Sequence, residues 1–142
     1  MNTVEATVYA HQGDWDSDHL WWNEEEPAVL AEIRAAKAVG LRVVLVLRLA
    51  LDHAFERNRF LWHGQVMPDS PAGIDSWFEQ YTRFALKWAE VAEREGVDVV
   101  ALGSEMKELT ATVPLRRAGQ LRRYHGFRFY QTFLKKRALK FS

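Results

Sequence analysis

The stretch AEREGVDVVALGSE, residues 92–105, decides the fold class of this chain. It joins the end of an amphipathic helix to Gly96 and then to an apolar run. A helix that is stopped by glycine and followed at once by a Val- and Leu-rich strand is the repeating unit of a parallel α/β fold. In such folds the chemistry lies at the carboxyl ends of the strands. The run closes on Gly-Ser-Glu, so Glu105 is the first candidate for a functional carboxylate.

The same order of features occurs earlier in the chain. AAKAVGLRVVLVLRLAL, residues 35–51, again places a helix, a glycine and an apolar strand in succession. Working outward, the pattern predicts strands over Thr3 to Ala10, Arg42 to Leu49 and Val97 to Leu102. It predicts helices from Pro27 to about Val39 and from Ser76 to Glu95, the second opened by a capping box.

The capping box of the second helix pairs Ser76 with Glu79, and its buried stripe is expected to contain Trp77, Tyr81, Phe84, Ala85, Trp88 and Ala92. Beyond it, we expect a helix over Leu115 to Tyr124 and a strand over Phe127 to Tyr130. Long loops follow each of the first three strands rather than the helices. That asymmetry places all the elaborated loops on one face, as at the catalytic face of a barrel.

Composition sets wide bounds on the class of protein. The chain has 142 residues, enough for one domain with a real core, and it has no cysteine, which excludes disulfides and thiolate metal sites. No signal peptide or membrane span is visible, so we expect a cytoplasmic protein with no membrane partner. Apolar residues make up 48% of the chain, which fits a globular protein.

Charge is balanced overall but unevenly distributed. The 19 basic and 19 acidic residues cancel, yet the segment from residue 115 to the end contains no acid and nine bases, namely Arg116, Arg117, Arg122, Arg123, Arg128, Lys135, Lys136, Arg137 and Lys140. A basic tail binds nucleic acid in some proteins, or it pairs with its own acidic body. Because no recognition motif accompanies it, we expect no nucleic-acid partner.

A metal site is not expected. Asp14, Asp16 and Asp18 with Glu25 imitate four positions of a calcium loop, but His19 stands where that loop needs glycine. The histidines of this region lack zinc-ligand spacing. The tryptophans of GDWDSDHLWWN, residues 13–23, are expected to line a cleft or to cover the rim of the sheet.

Three motifs in order resemble one family. They are WHGQV (residues 62–66), SWFEQYTRFALKWAEVAEREGVDVVALGSEM (76–106) and RRYHGFRFY (122–130). Together they are similar to the TIM barrels of glycoside hydrolase family 113, the endo-β-mannanase-like enzymes. The resemblance implies a partial (β/α)8 TIM barrel containing about strands two to five, with β-mannan-type polysaccharide as substrate and no cofactor.

The resemblance also implies roles for residues. Families of this clan are retaining enzymes whose acid/base glutamate ends strand four and whose nucleophilic glutamate ends strand seven. Glu105 matches the acid/base; read without the family, it is equally a helix-start glutamate favoured by the helix dipole. A full barrel needs about 250 residues, so we expect the nucleophile to be missing from the isolated chain.

Substrate contacts are expected from four residues. A loop Trp62 beside His63 suits a sugar subsite, because sugar rings stack on indole faces and polar neighbours bind the hydroxyls; alternatively the indole anchors the loop on the core. Arg48, near the end of an apolar strand, is expected to orient substrate or to form a structural ion pair. Trp22 is expected to line the cleft or the rim.

The domain prediction is a glycosidase-like partial barrel over residues 1–130, followed by a basic tail over 131–142 that is truncated or non-native. The functional prediction is a retaining glycoside hydrolase in its complete form. The alternative is an inactive barrel fragment that acts as a carbohydrate-binding or structural module. Open sheet edges predict self-association of the isolated chain.

Overall fold

The computed structural model describes residues 2–22, 25–53, 63–110, 115–117 and 120–122. The elements in chain order are strand β1 (Thr3–Gln12), helix α1 (Glu26–Ala38), strand β2 (Arg42–Leu51), a 3-10 turn (His63–Gln65), helix α2 (Pro71–Glu95), strand β3 (Val99–Ala101), helix α3 (Lys107–Thr110), strand β4 (Leu115–Arg117) and strand β5 (Gln120–Arg122).

The first three strands form one parallel sheet in the order β1-β2-β3. The β1–β2 ladder is ten residues long, from Thr3 opposite Arg42 to Gln12 opposite Leu51. β3 adds to the other edge of β2, with Val44 opposite Val99. The predicted α/β class with parallel strands is confirmed.

The sheet has two unlike faces because side chains alternate along each strand. The helix face is fully buried and is formed by Ala6, Val8 and Ala10 of β1 and Val43, Leu45, Leu47 and Leu49 of β2. α1 packs across β1 and β2 on this face and also contacts α2. The front face carries Thr7, Tyr9, His11, Val44, Val46, Arg48 and Ala50, most of which are only half-buried.

Helix α2 begins earlier than the sequence predicts. Its N-cap is Ser70, whose Oγ accepts a hydrogen bond of 3.0 Å from the Gly73 amide, and Pro71 occupies the first turn. The predicted capping box at Ser76 is wrong, because Ser76 lies inside the helix and its Oγ accepts from Gln80 Nε2 at 3.2 Å. The C-terminal end is as predicted: Gly96 has φ 68° and caps the helix.

The predicted stripe of α2 is confirmed. Trp77, Tyr81, Phe84, Ala85, Trp88 and Ala92 are all buried in the core. Trp77 and Tyr81 are one turn apart, and their rings stack with centroids 4.9 Å apart and an interplanar angle of 10°. The aromatic stripe of α2 therefore supplies the largest fully buried side chains among the described residues.

Two predictions about the later chain change. Strand β3 is shorter than Val97 to Leu102, because Val97 lies in the turn after the helix and its amide donates to Ala92 O at 2.8 Å. The helix expected over 115–124 is wrong: Leu115 pairs with Arg122 and Arg117 with Gln120 in an antiparallel pair of strands. The predicted strand Phe127 to Tyr130 and the predicted tail over 131–142 lie outside the described residues.

A buried amide attaches the loop after β1 to helix α2. Gln12 is fully buried; its Nε2 donates to the carbonyl oxygens of Asp14 and Ser17, each at 2.8 Å. Its Oε1 accepts from Trp77 Nε1 at 2.8 Å. The bond to the Trp77 indole satisfies a buried donor, while Asp14 O accepts a second hydrogen bond from the Ser17 amide at 3.1 Å. Gln80 adds a second link, because its Oε1 accepts from the Leu20 amide at 3.0 Å.

Replacing Gln12 with Leu should therefore be costly. The substitution keeps the volume but leaves one indole N–H and two carbonyl oxygens without this partner, so we expect a loss of about 2–4 kcal/mol in the free energy of unfolding. Urea unfolding followed by tryptophan fluorescence measures it. Gln80→Leu is the matched comparison; since Gln80 is only half-buried, its loss should be smaller. Equal losses would contradict the importance of the buried amide.

Ion pairs join the helices at the amino-terminal side of β3. Arg34 of α1 donates to both carboxylate oxygens of Glu95 at the end of α2, at 2.7 and 2.8 Å. Hydrogen bonds from Arg34 and Arg94 lower the pKa of Glu95 to about 2. The Val43 amide and Lys37 lower the pKa of Asp98 in the same way. These contacts fix the start of β3 against β2.

Acid should remove the contribution of Glu95. Its pKa is lower in the folded state than the ordinary glutamate value, so its contribution is present above about pH 4.5 and is lost as the pH falls toward 2. We expect the difference in urea midpoint between the natural chain and Glu95→Gln to be largest at neutral pH and to shrink across that window. Glu90→Gln, on the exposed side of α2, is the control. A difference that does not change with pH would refute the assignment.

Candidate active site

The carboxyl ends of the three parallel strands define the site. β1 ends at Gln12, β2 at Leu51 and β3 at Ala101, and because the strands are parallel these ends lie at one edge of the sheet. Every loop that follows a strand therefore starts at the same edge. Polar residues of these loops and of the front face converge there, and they include most of the residues that the sequence singles out.

Glu105 lies four residues beyond β3 with an unusual backbone. Its φ is 55°, the left-handed region that non-glycine residues rarely adopt. The Lys107 amide donates to Glu105 O at 2.9 Å, which closes the turn into α3. The carboxylate side chain is 57% exposed. The carboxylate is thus presented to solvent from a strained turn, and such turns are common at functional sites.

The residues around Glu105 hold that turn in place. Met106 and Leu109 are buried in the core directly behind it. Gly103 lies so close to Met106 that a Cβ there would be 2.8 Å from Met106 Sδ. Tyr81 of α2 donates its hydroxyl to Leu102 O at 3.2 Å, just before the turn. The backbone of the turn that carries Glu105 is therefore supported by core contacts.

His63 contacts Glu105 directly. Its Nε2 is 2.9 Å from Glu105 Oε2, although the two residues are 42 positions apart. His63 opens the 3-10 turn after the long loop that follows β2, and its side chain is 21% exposed. The sequence predicts a sugar ligand at His63; in the structure its ring contacts the proposed acid/base instead, and a direct role in sugar binding stays a prediction. Nothing in the local spacing indicates this pairing.

A second histidine at the same edge also contacts carboxylates. His11 Nδ1 is 3.0 Å from Asp52 Oδ1, and His11 Nε2 is 3.7 Å from Glu25 Oε1. The backbone of His11 pairs with Trp21, and the two rings stack at 6.1 Å. Glu25 Oε2 also accepts from the Tyr9 amide at 3.3 Å. His11 thus connects the loops after β1 and β2, a role that the sequence does not predict.

Arg48 lies on the front face opposite Tyr9. Its Nε is buried and has no hydrogen-bond partner among the residues that the structure describes. If the β2–β3 register is extended past Ala101, Arg48 falls beside Gly103, close to the turn that carries Glu105. The predicted role of Arg48 in binding substrate stays a prediction.

The two predicted tryptophans have different outcomes. Trp22 packs on Phe84 of α2, with ring centroids 5.7 Å apart, so much of its indole surface contacts the core. Its role in binding sugar stays a prediction. Trp62 lies outside the described residues.

The calcium-like pattern does not form a site in the described part of the chain. Asp14 Oδ2 lies 3.6 Å from His53 Nδ1, and Glu25 points to the backbone of β1 instead. Among the described residues, no group of three or more His, Asp or Glu side chains is arranged to hold a metal ion.

The family is shown by a match along most of the chain. The model of Glycoside Hydrolase Family 113 matches residues 1–115, and the chain belongs to that family. The class of protein that the match defines is thus a member of a glycoside hydrolase family. The resemblance that the ordered motifs indicate is confirmed.

Solved structures agree with this assignment. A GH113 β-1,4-mannanase is 22% identical with a TM-score of 0.64, over 77% of this chain and 36% of its own. A complex of a GH113 β-1,4-mannanase is 21% identical with a TM-score of 0.67, over 95% and 41%. The β-mannanase AaManA from Alicyclobacillus acidocaldarius, in complex with ManMIm, is 19% identical with a TM-score of 0.63, over 75% and 36%. At these identities the likeness shows the fold.

The chain spans about two fifths or less of the length of these mannanases. No curated protein matches it. Within the described residues, no helix is both long enough and apolar enough to cross a membrane.

The left-handed backbone at Glu105 can be tested by stability. Glycine adopts φ near 55° without the penalty that a Cβ brings, whereas alanine keeps that penalty. We expect the free energy of unfolding of Glu105→Gly to exceed that of Glu105→Ala by about 1 kcal/mol, measured by urea unfolding. The matched pair Glu79→Gly and Glu79→Ala, on the exposed side of α2, should show the opposite order, because glycine weakens a helix interior. If the Gly and Ala variants rank in the same order of stability at both sites, the backbone at Glu105 is not strained.

Proposed function

We propose that this chain is the acid/base-bearing part of a retaining β-mannan hydrolase. In this proposal the parallel strands β1, β2 and β3 are strands two, three and four of a (β/α)8 barrel. Glu105, after β3, is the general acid/base. The substrate is a β-mannan-type polysaccharide or oligosaccharide, and no cofactor takes part.

The observation that carries the proposal is the position of Glu105. It is an accessible carboxylate at the carboxyl edge of the third parallel strand, within the segment that matches the family. Sequential strand order, with α1 and α2 in contact on the same side of the sheet, is also what a barrel requires; a doubly wound sheet would divide its helices between both faces.

The proposed mechanism follows from the distances that retention needs. Protonated Glu105 gives its proton to the glycosidic oxygen as the bond to the sugar breaks, while a second carboxylate attacks the sugar carbon from about 5–5.5 Å away. Glu105, now ionised, then takes a proton from the water that hydrolyses the covalent intermediate. The family resemblance assigns the second carboxylate to strand seven, outside the three described parallel strands.

Substrate contacts in this proposal come from the residues at the same edge. Arg48 lies on the front face, and its buried Nε has no partner in the described part of the chain. A guanidinium in that position suits sugar hydroxyls or a neighbouring carboxylate, because its N–H groups form a planar fork of donors. Trp62 and Trp22 are proposed to supply apolar surface for the sugar rings.

A second candidate function is a carbohydrate-binding or structural module without catalysis. It needs only substrate contacts at the carboxyl edge and the front face, where Arg48 lies, and no second carboxylate. The two functions differ in one observable: a binding module retains affinity for manno-oligosaccharides and gains no turnover when the rest of a barrel is supplied. Self-association to cover open sheet edges, a cytoplasmic location and the absence of a nucleic-acid partner stay predictions.

The test uses Glu105→Gln in a completed barrel, in which this chain is joined to the remaining strands of a GH113 mannanase. Glutamine keeps the shape but has no proton to transfer, so hydrolysis of sugars with poor leaving groups should fall ~10²–10⁴-fold. Activated aryl glycosides need little protonation and should lose less in the first step. The 142-residue chain alone should show essentially no turnover.

Glu79→Gln is the matched control, because Glu79 is exposed on α2 and lies outside the proposed site. Its rates should equal those of the natural sequence. Enzyme-like hydrolysis of β-mannan by the 142-residue chain alone, or an active completed barrel that is indifferent to Glu105→Gln, would overturn the proposal.

A further inference from the structure

We propose that His63 is a positioning residue for Glu105: its Nε2–H holds Glu105 Oε2 and leaves Oε1 as the oxygen that carries the transferable proton. The contact itself stands on the geometry of the two side chains. Its meaning for catalysis rests on the proposed function of Glu105.

The direction of the hydrogen bond follows from the chemistry of the pair. An ionised carboxylate only accepts hydrogen bonds, so at 2.9 Å from Oε2 the Nε2 atom must carry the hydrogen. When the carboxyl group is protonated on Oε1, Oε2 is still an acceptor, and the same Nε2–H can stay in place. The carboxyl group therefore gains and loses its proton without turning about its side-chain bonds. A fixed acid oxygen removes one rotation from the proton-transfer step.

The backbones of both residues are supported by buried neighbours. Glu105 has a left-handed backbone, and the next residue, Met106, is buried in the core. His63 opens the 3-10 turn that contains buried Gly64, and buried Val66 follows, its amide donating to His63 O at 3.1 Å. The 3-10 turn also packs against α3, which follows Glu105. The side chain of His63, which comes after β2, therefore contacts the turn after β3 from a backbone that is itself packed on the core.

Exposure of Glu105 makes the hydrogen bond necessary for positioning. The side chain is 57% exposed, so packing alone would leave its rotamers free to exchange. His63 is the less exposed partner, at 21%, and is the better anchored of the two. A charge-assisted hydrogen bond from an anchored ring is sufficient to favour one rotamer of an exposed glutamate.

The first experiment measures the chemical reactivity of Glu105 in the natural 142-residue chain. A water-soluble carbodiimide with glycinamide converts accessible carboxylates to amides, and peptide mass spectrometry gives the rate at each site. A hydrogen bond of ordinary strength should slow Glu105 roughly 2–10-fold relative to exposed Glu32 on α1. His63→Ala should remove that protection, and His63→Gln, which keeps a side-chain N–H donor, should restore part of it.

His19→Ala is the matched control. It also removes an imidazole from a loop at the carboxyl edge, but the ring of His19 stacks on Trp21 at 5.9 Å. Protection of Glu105 should be unchanged in this variant. Equal protection in the natural chain and His63→Ala would overturn the proposal, as would a loss of protection in His63→Ala that His63→Gln does not reverse at all.

The second experiment identifies the hydrogen on the ring. Long-range proton–nitrogen correlation spectra distinguish the two neutral tautomers of histidine, and we expect hydrogen on Nε2 of His63 in the natural chain. Glu105→Ala should weaken that preference, whereas Glu79→Ala should not. A neutral His63 with hydrogen only on Nδ1 would contradict the proposed direction of the bond.

The outcomes separate the two proposals. If His63 protects Glu105 but Glu105→Gln leaves the hydrolysis rate of the completed barrel unchanged, the catalytic function is refuted and the positioning contact stands. If the completed barrel depends on Glu105 but the carbodiimide reactivity of Glu105 is independent of His63, the positioning role is refuted and the catalytic function stands. If both hold, His63→Ala in the completed barrel should lower kcat on poor leaving groups more than on aryl glycosides, with little change in KM.

Discussion

The ten-residue parallel ladder between β1 and β2 is the constraint on which the rest of the structure depends. Its register places every second side chain of both strands on the helix face, where they are sealed by α1 and the aromatic stripe of α2. The same register fixes the alternate residues, including His11 and Arg48, on the front face. A slip of one residue would exchange the two faces, burying Arg48 among apolar side chains, so the core and the site are specified together.

Parallel pairing also explains why distant residues meet. A parallel connection returns the chain to the amino end of the next strand, so all following loops begin at one edge. His63 and Glu105 meet because the loop after β2 and the turn after β3 share that edge. His11 and Asp52 meet for the same reason across the β1–β2 pair. The chemistry of the site therefore comes from topology acting on residues far apart in the sequence.

Much of this could be predicted from the sequence, and the failures have physical causes. β1 follows from its β propensity and β2 from its near-continuous apolar run, while the stripe of α2 follows from helical spacing. The sequence predicts the cap of α2 at Ser76, whereas the helix starts earlier because Ser70 caps it and Pro71 fits its first turn. Residues 115–117 and 120–122 have helix-compatible composition, yet they pair as two antiparallel strands, a preference that local propensity does not reveal. The position of Glu105 was predictable from strand order, but its left-handed backbone and its contact with His63 depend on tertiary packing.

Two ion pairs of the described residues lie away from the candidate chemistry. Arg34, Glu95, Lys37 and Asp98 join helix ends to the beginning of β3, opposite the edge where Glu105 and His63 lie. A change in the loops after the strands therefore leaves these contacts intact. Such a division lets the loops after the strands be exchanged between relatives, or rebuilt by design, while the opposite end of the sheet continues to hold the strands in register.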